Sequence, residues 1–130
     1  MKRFIRAFAA AACAALLAAG AAAQAACVYP QAPQNFPNGA TATKEEMLTA
    51  QQAVKAYSKE VQEVYLGCLE KEKNDSIAAL DQSDAEAYAE KKKAIEDIHA
   101  KKHNAAVDEL SAIAAHWSDE IKAFNLKGKE

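Results

Sequence analysis

The residues best suited to chemistry are one glutamate and two histidines that recur at helical spacing. Glu96 precedes His99 by three positions, and His103 follows His99 by four. Residues three or four positions apart share one face of an α-helix, so this spacing would present a carboxylate and two imidazoles together. Transition metals prefer such ligands in proteins. Metal binding by Glu96, His99 and His103 is therefore one hypothesis, and solvated side chains on a lysine-rich helix are the alternative.

Residues that could support catalysis do not form a comparable set. No serine is accompanied by a histidine and an acid in an arrangement that suggests a nucleophile. The adjacent acids Asp108–Glu109 and Asp119–Glu120 would point apart on a helix, which excludes an acid–base pair. Phosphate-binding loops and Cys-x-x-Cys motifs do not occur in the sequence. We therefore predict a protein without enzymatic activity and without a cofactor.

The chain opens with a segment typical of export. Three basic residues precede an Ala/Leu-rich apolar run over Phe8–Gly20, and Ala23–Gln24–Ala25 fits the small-x-small rule for cleavage. We predict a signal peptide at residues 1–25 and a mature protein in the bacterial periplasm. A membrane anchor formed by the apolar run and a lipoprotein anchored through Cys27 are the alternatives.

The exported part carries more negative charge than the whole chain. Residues 1–25 contain three basic residues and no acid, so their removal lowers the formal net charge from −2 by three, to −5. Nucleic acids and anionic lipids are poor partners for such a protein. We predict neither nucleic-acid binding nor membrane binding after cleavage, which leaves a protein partner or a homodimer.

Two cysteines, Cys27 and Cys68, remain after cleavage. Exported proteins meet an oxidising compartment, and two cysteines allow one intramolecular disulfide. An intermolecular bond and a metal site are alternatives, although two thiolates without neighbouring histidines make a poor zinc site. We favour an intramolecular disulfide between Cys27 and Cys68.

The elements that would position these residues are an extended arm and two long helices. All three prolines lie in residues 26–42, which predicts an extended arm there rather than a helix. Thr43 and Glu46 match a capping box and predict a first helix over residues 44–80. A break near Asn74, where the propensity for helix is low, is the alternative.

A second helix is predicted over residues 84–125. Asp81–Ser83 would form a short turn, and Ser83 with Glu86 would make a second capping box. A short connection places neighbouring helices antiparallel, which predicts a hairpin with a coiled-coil-like seam. The chain as a whole is thus predicted to be all-α.

The apolar stripes of the two helices predict how the hairpin would pair. Pairing around the turn would place Met47 near Trp117 and Val61 near His103. Two helices alone leave the apolar residues on their outer sides exposed to water. The arm packed along helix one, the disulfide or a second copy must therefore supply the remaining stability. The first stripe follows alternating spacings of three and four: Met47, Ala50, Val54, Tyr57, Val61, Val64 and Cys68.

One end of the predicted hairpin is rich in large apolar side chains. Met47, Trp117 and Phe124 would lie there, and aromatic anchors often dominate binding, so these three are candidate binding residues. Packing of Trp117 and Phe124 under the arm, against Phe36 and Tyr29, is the alternative interpretation.

A short motif in the first helix bears on function. Leu48-Thr49-Ala50-Gln51-Gln52 has the form Leu-Thr-x-x-Gln. It resembles the signature of Spy-like periplasmic chaperones, which carry the motif twice, whereas this chain carries it once. The resemblance implies a chaperone for unfolded proteins.

A broader pattern extends over most of the predicted mature chain. Its residues are Cys27, Tyr29, Pro30, Ala32 and Pro33, then Asn38–Gly39 and Ala42–Met47, then Tyr65, Leu66 and Cys68, and finally Lys102–Leu110. Together they resemble a family of small uncharacterised exported proteins of Gram-negative bacteria. The resemblance implies that the arm, both cysteines and the two helices form one unit. The function expected from all these features is a non-enzymatic interaction or structural role, with metal binding or chaperone activity as alternatives.

Overall fold

The structure, a computed structural model, describes residues 26–128 and is all-helical, as predicted. No strand occurs in this range. Helix α1 is Lys44–Lys59, a π-helical turn follows at Glu60–Tyr65, α2 is Leu66–Ala78 and α3 is Ala85–Lys127. Within residues 26–128 no helix has the length and apolar character needed to cross a bilayer. The predicted signal peptide at residues 1–25 lies outside the described residues.

Helix α1 begins where the sequence predicts. The Glu46 N–H donates to the Thr43 hydroxyl, and the Thr43 N–H donates to the Glu46 carboxylate at 2.7 Å, which completes the capping box. The backbone hydrogen bond from Thr43, assisted by its hydroxyl, lowers the pKa of Glu46. Helical structure continues past Asn74 to Ala78, so the alternative of a break at Asn74 is not seen.

The π-helical turn changes which residues of the first helix are buried. Each N–H of a π-helix bonds to a carbonyl five residues earlier, so a turn holds more residues than a turn of α-helix. Val64, which we expected in the buried stripe, is 62% exposed. That expectation was wrong because the wider turn moves the buried position from residue 64 to Tyr65. The buried face advances in steps of four: Tyr57, Val61, Tyr65 and Leu69.

Helix α3 begins one residue later than predicted and has a different cap. The Asp84 carboxylate accepts the N–H groups of Glu86 and Ala87, each at 3.0 Å. The Ser83 N–H instead donates to the Asp81 carboxylate at 2.9 Å. The predicted Ser83–Glu86 capping box was wrong. The Asp84 carboxylate accepts hydrogen bonds from two N–H groups that have no partner within the helix, and its negative charge lies at the positive end of the helix dipole.

Asp84→Ala should therefore destabilise the protein, whereas Ser83→Ala should not. Loss of an N-cap costs about 1 kcal/mol, which in a domain of this size lowers the melting temperature by roughly 4–8 °C. Thermal unfolding followed by circular dichroism measures both variants. A larger loss of stability in Ser83→Ala than in Asp84→Ala would show that Ser83 is the N-cap, as the sequence suggests.

Helix α3 packs along α1 and α2 in a register that differs from the predicted one. Lys102 lies 3.7 Å from the Glu72 carboxylate, where the predicted pairing would place Lys92. The Lys127 ammonium likewise donates to the carbonyl of Ala42 at 3.2 Å. The connection between α2 and α3 runs from Ala79 to Asp84 and is longer than the predicted three-residue turn. Residues further along α3 therefore lie beside the first helix.

The core is small and draws on all parts of the described chain. Four residues of the first helix and Ala106 of α3 form a buried cluster. Leu110 and Ile113 of α3 pack against it, and so do Cys27, Tyr29 and Ala32 of the arm (residues 26–42). The arm therefore contributes directly to covering the core.

Covalent and polar contacts hold the beginning of the arm on the first helix. Cys27 and Cys68 form a disulfide, the pairing that the sequence favours. The hydroxyls of Tyr29 and Tyr57 share a hydrogen bond of 2.9 Å, and the Tyr29 ring meets the Tyr65 ring edge-on at 4.8 Å. Burial, followed by hydrogen bonding to Tyr57 and Glu109, raises the pKa of Tyr29. Tyr29 thus remains a protonated hydroxyl inside a tyrosine cluster.

Candidate functional site

The three predicted binding residues differ in what they offer a partner. Met47 is only 7% exposed, so it belongs to the core and presents almost no surface. Trp117 and Phe124 are half-buried. The Phe36 ring lies 6.4 Å from the Trp117 ring and 4.5 Å from the His116 ring, centre to centre. Trp117 thus packs against Phe36 of the arm, as the alternative interpretation expects.

The arm reaches α3 through an unusually close backbone approach at Gly39. The Gly39 N–H donates to the Glu120 carboxylate at 2.7 Å, and the other oxygen of that carboxylate lies 3.4 Å from His116. A Cβ atom on Gly39 would stand 2.0 Å from the Glu120 carbonyl oxygen and 2.9 Å from the Phe124 nitrogen. Only glycine fits at this position. No local sequence pattern pairs Gly39 with Glu120, because the two residues lie 81 positions apart.

A turn next to Gly39 connects the arm to α1. The Asn38 carbonyl accepts the N–H groups of Thr41 and Ala42 at 3.0 and 2.7 Å, and the Asn38 side chain accepts the Ala40 N–H at 3.0 Å. These bonds satisfy the backbone where the chain reverses before Thr43. Phe36 lies just before this turn and is held by its ring contacts with His116 and Trp117.

An apolar groove of about 470 Å³ lies between the arm and α1. Phe36 and Pro37 line it on the arm side, and Ala50 and Ala53 line it on the helix side. The Thr49 hydroxyl donates to the backbone carbonyl of Glu45 at 2.9 Å, so its one donor is already used. The remaining lining residues are polar or acidic: Asn35, Glu45 and Glu46. The groove can accept apolar side chains, with carboxylates close by.

A second cavity, of about 380 Å³, lies between α2 and α3 and contains the predicted metal ligands. Glu96, His99 and His103 all line it. His99 is 8% exposed and its Nδ1 has no hydrogen-bond partner, whereas Glu96 and His103 are exposed. The other lining residues come from both helices: Leu66, Leu69, Glu70, Lys73, Ala100 and Asn104.

The acid that lines this cavity from α2, Glu70, is already engaged. The Glu70 carboxylate accepts a hydrogen bond from Lys73 at 2.7 Å, and this bond lowers the pKa of Glu70. Among residues 26–128 no three histidine, cysteine or acidic side chains are grouped so that they could hold a metal ion. The spacing of Glu96, His99 and His103 thus brings them to one cavity but not into a ligand set.

Comparison with known proteins identifies no relative of this chain. No family model matches the chain, and no curated protein or solved structure is significantly similar to it. The resemblances to Spy-like chaperones and to small exported proteins therefore stay predictions from motifs.

Proposed function

We propose that the chain is a non-enzymatic periplasmic protein that binds another protein through the groove between the arm and α1. In this proposal the mature part is an antiparallel helical hairpin, and the arm packs along its first helix. The disulfide between Cys27 and Cys68 and the contacts of α3 with Glu72 and Ala42 support this arrangement. The export-like segment at residues 1–25 supports the location.

The observation that carries the proposal is the apolar character of the groove. Clefts that bind ligands typically measure about 300–1,000 Å³ and have mainly apolar linings with a few polar groups, as this one has. An aromatic residue, Phe36, lines the groove and is itself held by Trp117 and His116. A rigid wall of this kind lowers the entropy lost on binding, because the groove needs little rearrangement to receive a side chain.

Charge indicates which protein segments the groove favours. Glu45 and Glu46 lie at the groove, and the predicted mature chain carries an excess of negative charge. The hydrogen bonds from Thr43 lower the pKa of Glu46, so its carboxylate stays ionised at mildly acidic pH. Complementary charge speeds association and selects partners. The expected partner therefore presents apolar residues next to lysine or arginine.

Ala53→Arg should weaken binding at least tenfold, because the new side chain fills the groove and repels basic segments. Ala89→Arg on α3 is the matched control, since it adds the same charge at an exposed position away from the groove. Fluorescence anisotropy with a labelled, reduced and unfolded basic protein measures both affinities. Equal affinities for the two variants would contradict the proposal.

A Spy-like chaperone and a homodimer are special cases of the same proposal. The chaperone predicts that the groove also suppresses aggregation of the unfolded basic protein, and that Ala53→Arg removes this suppression. A homodimer predicts instead that the protein sediments as a dimer and that Ala53→Arg turns it into a monomer. Sedimentation velocity of the oxidised protein separates the two cases.

Metal binding is the second candidate function. It is favoured by the shared cavity of Glu96, His99 and His103 and by the unpaired Nδ1 of buried His99. Rotation of the exposed His103 side chain would be needed to complete a site. Calorimetric titration with zinc and copper tests it: stoichiometric binding that His103→Ala abolishes and His116→Ala retains supports the candidate. Absence of stoichiometric binding rejects it.

A further inference from the structure

The first part of the arm, residues 27–34, covers core residues of the first helix and α3. Cys27, Tyr29 and Ala32 pack against the buried cluster that includes Tyr57 and Tyr65. The Tyr29 ring lies edge-on to Tyr65, and its hydroxyl bonds to Tyr57. We name residues 27–34 the strap. Its removal would expose Tyr57, Tyr65 and the side of the core cluster that the strap covers.

The strap is held by the disulfide, by Tyr29 and by apolar packing of the buried Pro30 and of Ala32, and it makes few hydrogen bonds. Within the described chain no backbone–backbone hydrogen bond involves residues 26–37. Apart from Tyr29, the hydrogen bond made by a strap side chain is local, from Gln34 to the carbonyl of Ala32 at 3.1 Å. An extended segment without backbone pairing must be ordered by few contacts, each of which competes with the conformational entropy of the free chain.

The part of the arm that follows Pro37 is fastened independently of the disulfide. Gly39 bonds to Glu120 of α3, and the Asn38 turn satisfies three backbone N–H groups. The Lys127 ammonium also donates to the carbonyls of Thr41 and Ala42 at 3.3 and 3.2 Å. The strap can therefore detach without releasing the turn that leads into α1.

We propose that the Cys27–Cys68 disulfide is a redox latch, and that its reduction frees the strap and exposes the aromatic side of the core. Neither cysteine is fully buried. The inference does not depend on the groove, because Phe36 and Gly39 keep their own contacts in the reduced protein.

The reaction is ordinary thiol–disulfide exchange with a dithiol reductant. One thiolate of the reductant attacks a sulfur of the Cys27–Cys68 bond, forms a mixed disulfide and releases the other cysteine as a thiolate. The second thiol of the reductant then displaces the bound cysteine. Two electrons and two protons pass to Cys27 and Cys68, and the dithiol becomes a disulfide.

Backbone relaxation by NMR tests the latch on the exported protein, oxidised and then treated with excess dithiol. Order parameters of Val28, Gln31 and Ala32 should fall from about 0.85 to below about 0.6 on reduction, while those of Gly39–Ala42 stay high. The double variant Cys27→Ser/Cys68→Ser should reproduce the reduced state without reagent. Reoxidation should restore the rigid strap.

Two results would overturn the latch. Order parameters of Val28, Gln31 and Ala32 that stay high after reduction would show that the noncovalent contacts hold the strap alone. Loss of helical circular dichroism on reduction would show that the bond staples the whole fold and controls no separate segment. Oxidised Tyr29→Ala is the matched control, because it removes the ring contacts and keeps the tether, and it should loosen the strap less than reduction does.

Discussion

Gly39→Ala is expected to displace the arm from α3 and to lower the free energy of unfolding by roughly 2.5–6 kcal/mol. The new methyl group would stand 2.0 Å from the Glu120 carbonyl oxygen, a backbone atom that cannot move aside alone. Overpacking of this kind costs about 1–3 kcal/mol, and loss of the charged hydrogen bond to Glu120 adds about 1.5–3 kcal/mol if it is not remade. Chemical denaturation of both proteins measures the difference.

Gly67→Ala is the matched control for this prediction. Gly67 is exposed in α2, and a Cβ there would meet nothing within 4 Å. Alanine in an exposed helix position is more stable than glycine by about 0.5–1 kcal/mol, so this variant should gain stability. Equal effects of the two substitutions would mean that Gly39 does not approach α3 as closely as described.

Trp117→Ala is expected to lower the free energy of unfolding by about 3 kcal/mol. The ring packs against Phe36 of the arm, and removal of a packed tryptophan costs about 3–5 kcal/mol, with the lower end fitting its half-buried position. Thermal unfolding should show a melting temperature lower by many degrees. Leu126→Ala, on the same helix and 64% exposed in the wild type, should change it little.

A double-mutant cycle identifies the partner of Trp117. If the ring is held by the arm, the double variant Phe36→Ala/Trp117→Ala should lose less stability than the sum of the losses in the two single variants. The difference, the coupling energy, should be about 0.5–1.5 kcal/mol. An unchanged melting temperature in Trp117→Ala, together with lost binding of unfolded protein, would instead make Trp117 part of the binding surface.

Local rules explain why much of the fold is predictable from the sequence. The capping box at Thr43 and Glu46 involves neighbours along the chain, so it needs no knowledge of packing. The pairing of Cys27 with Cys68 follows from a count of two cysteines in the predicted mature part of the chain. At the second cap the same reasoning chose Ser83, although Asp84 next to it is as good a capping residue and carries a charge.

The π-helical turn could have been recognised from the spacing of the apolar residues, but we assumed an α-helical period. Tyr57, Val61, Tyr65 and Leu69 are spaced by four throughout, whereas a straight α-helix alternates between three and four to keep one face buried. The predicted stripe followed the α-helical period and therefore placed the buried position at Val64, one residue before Tyr65, which is the buried residue. A run of constant spacing is what predicts a wider turn.

One candidate site depends on spacing within a single helix, whereas the other contacts depend on how separate parts of the chain pack. Spacing along α3 sufficed to bring Glu96, His99 and His103 to one cavity. The contact of Gly39 with Glu120 joins parts of the chain that are 81 residues apart, and its register depends on the connection after α2. Because that connection is longer than predicted, no sequence pattern identified these partners.

The proposed binding role is tested most directly by NMR titration of the oxidised, ¹⁵N-labelled protein with a short peptide of alternating leucine and lysine. The proposal predicts saturable shifts of the amides of Phe36, Thr49, Ala50 and Ala53, and their loss in Ala53→Arg but not in Ala89→Arg. Shifts confined to His99 and His103, or no shift at millimolar peptide, would contradict it.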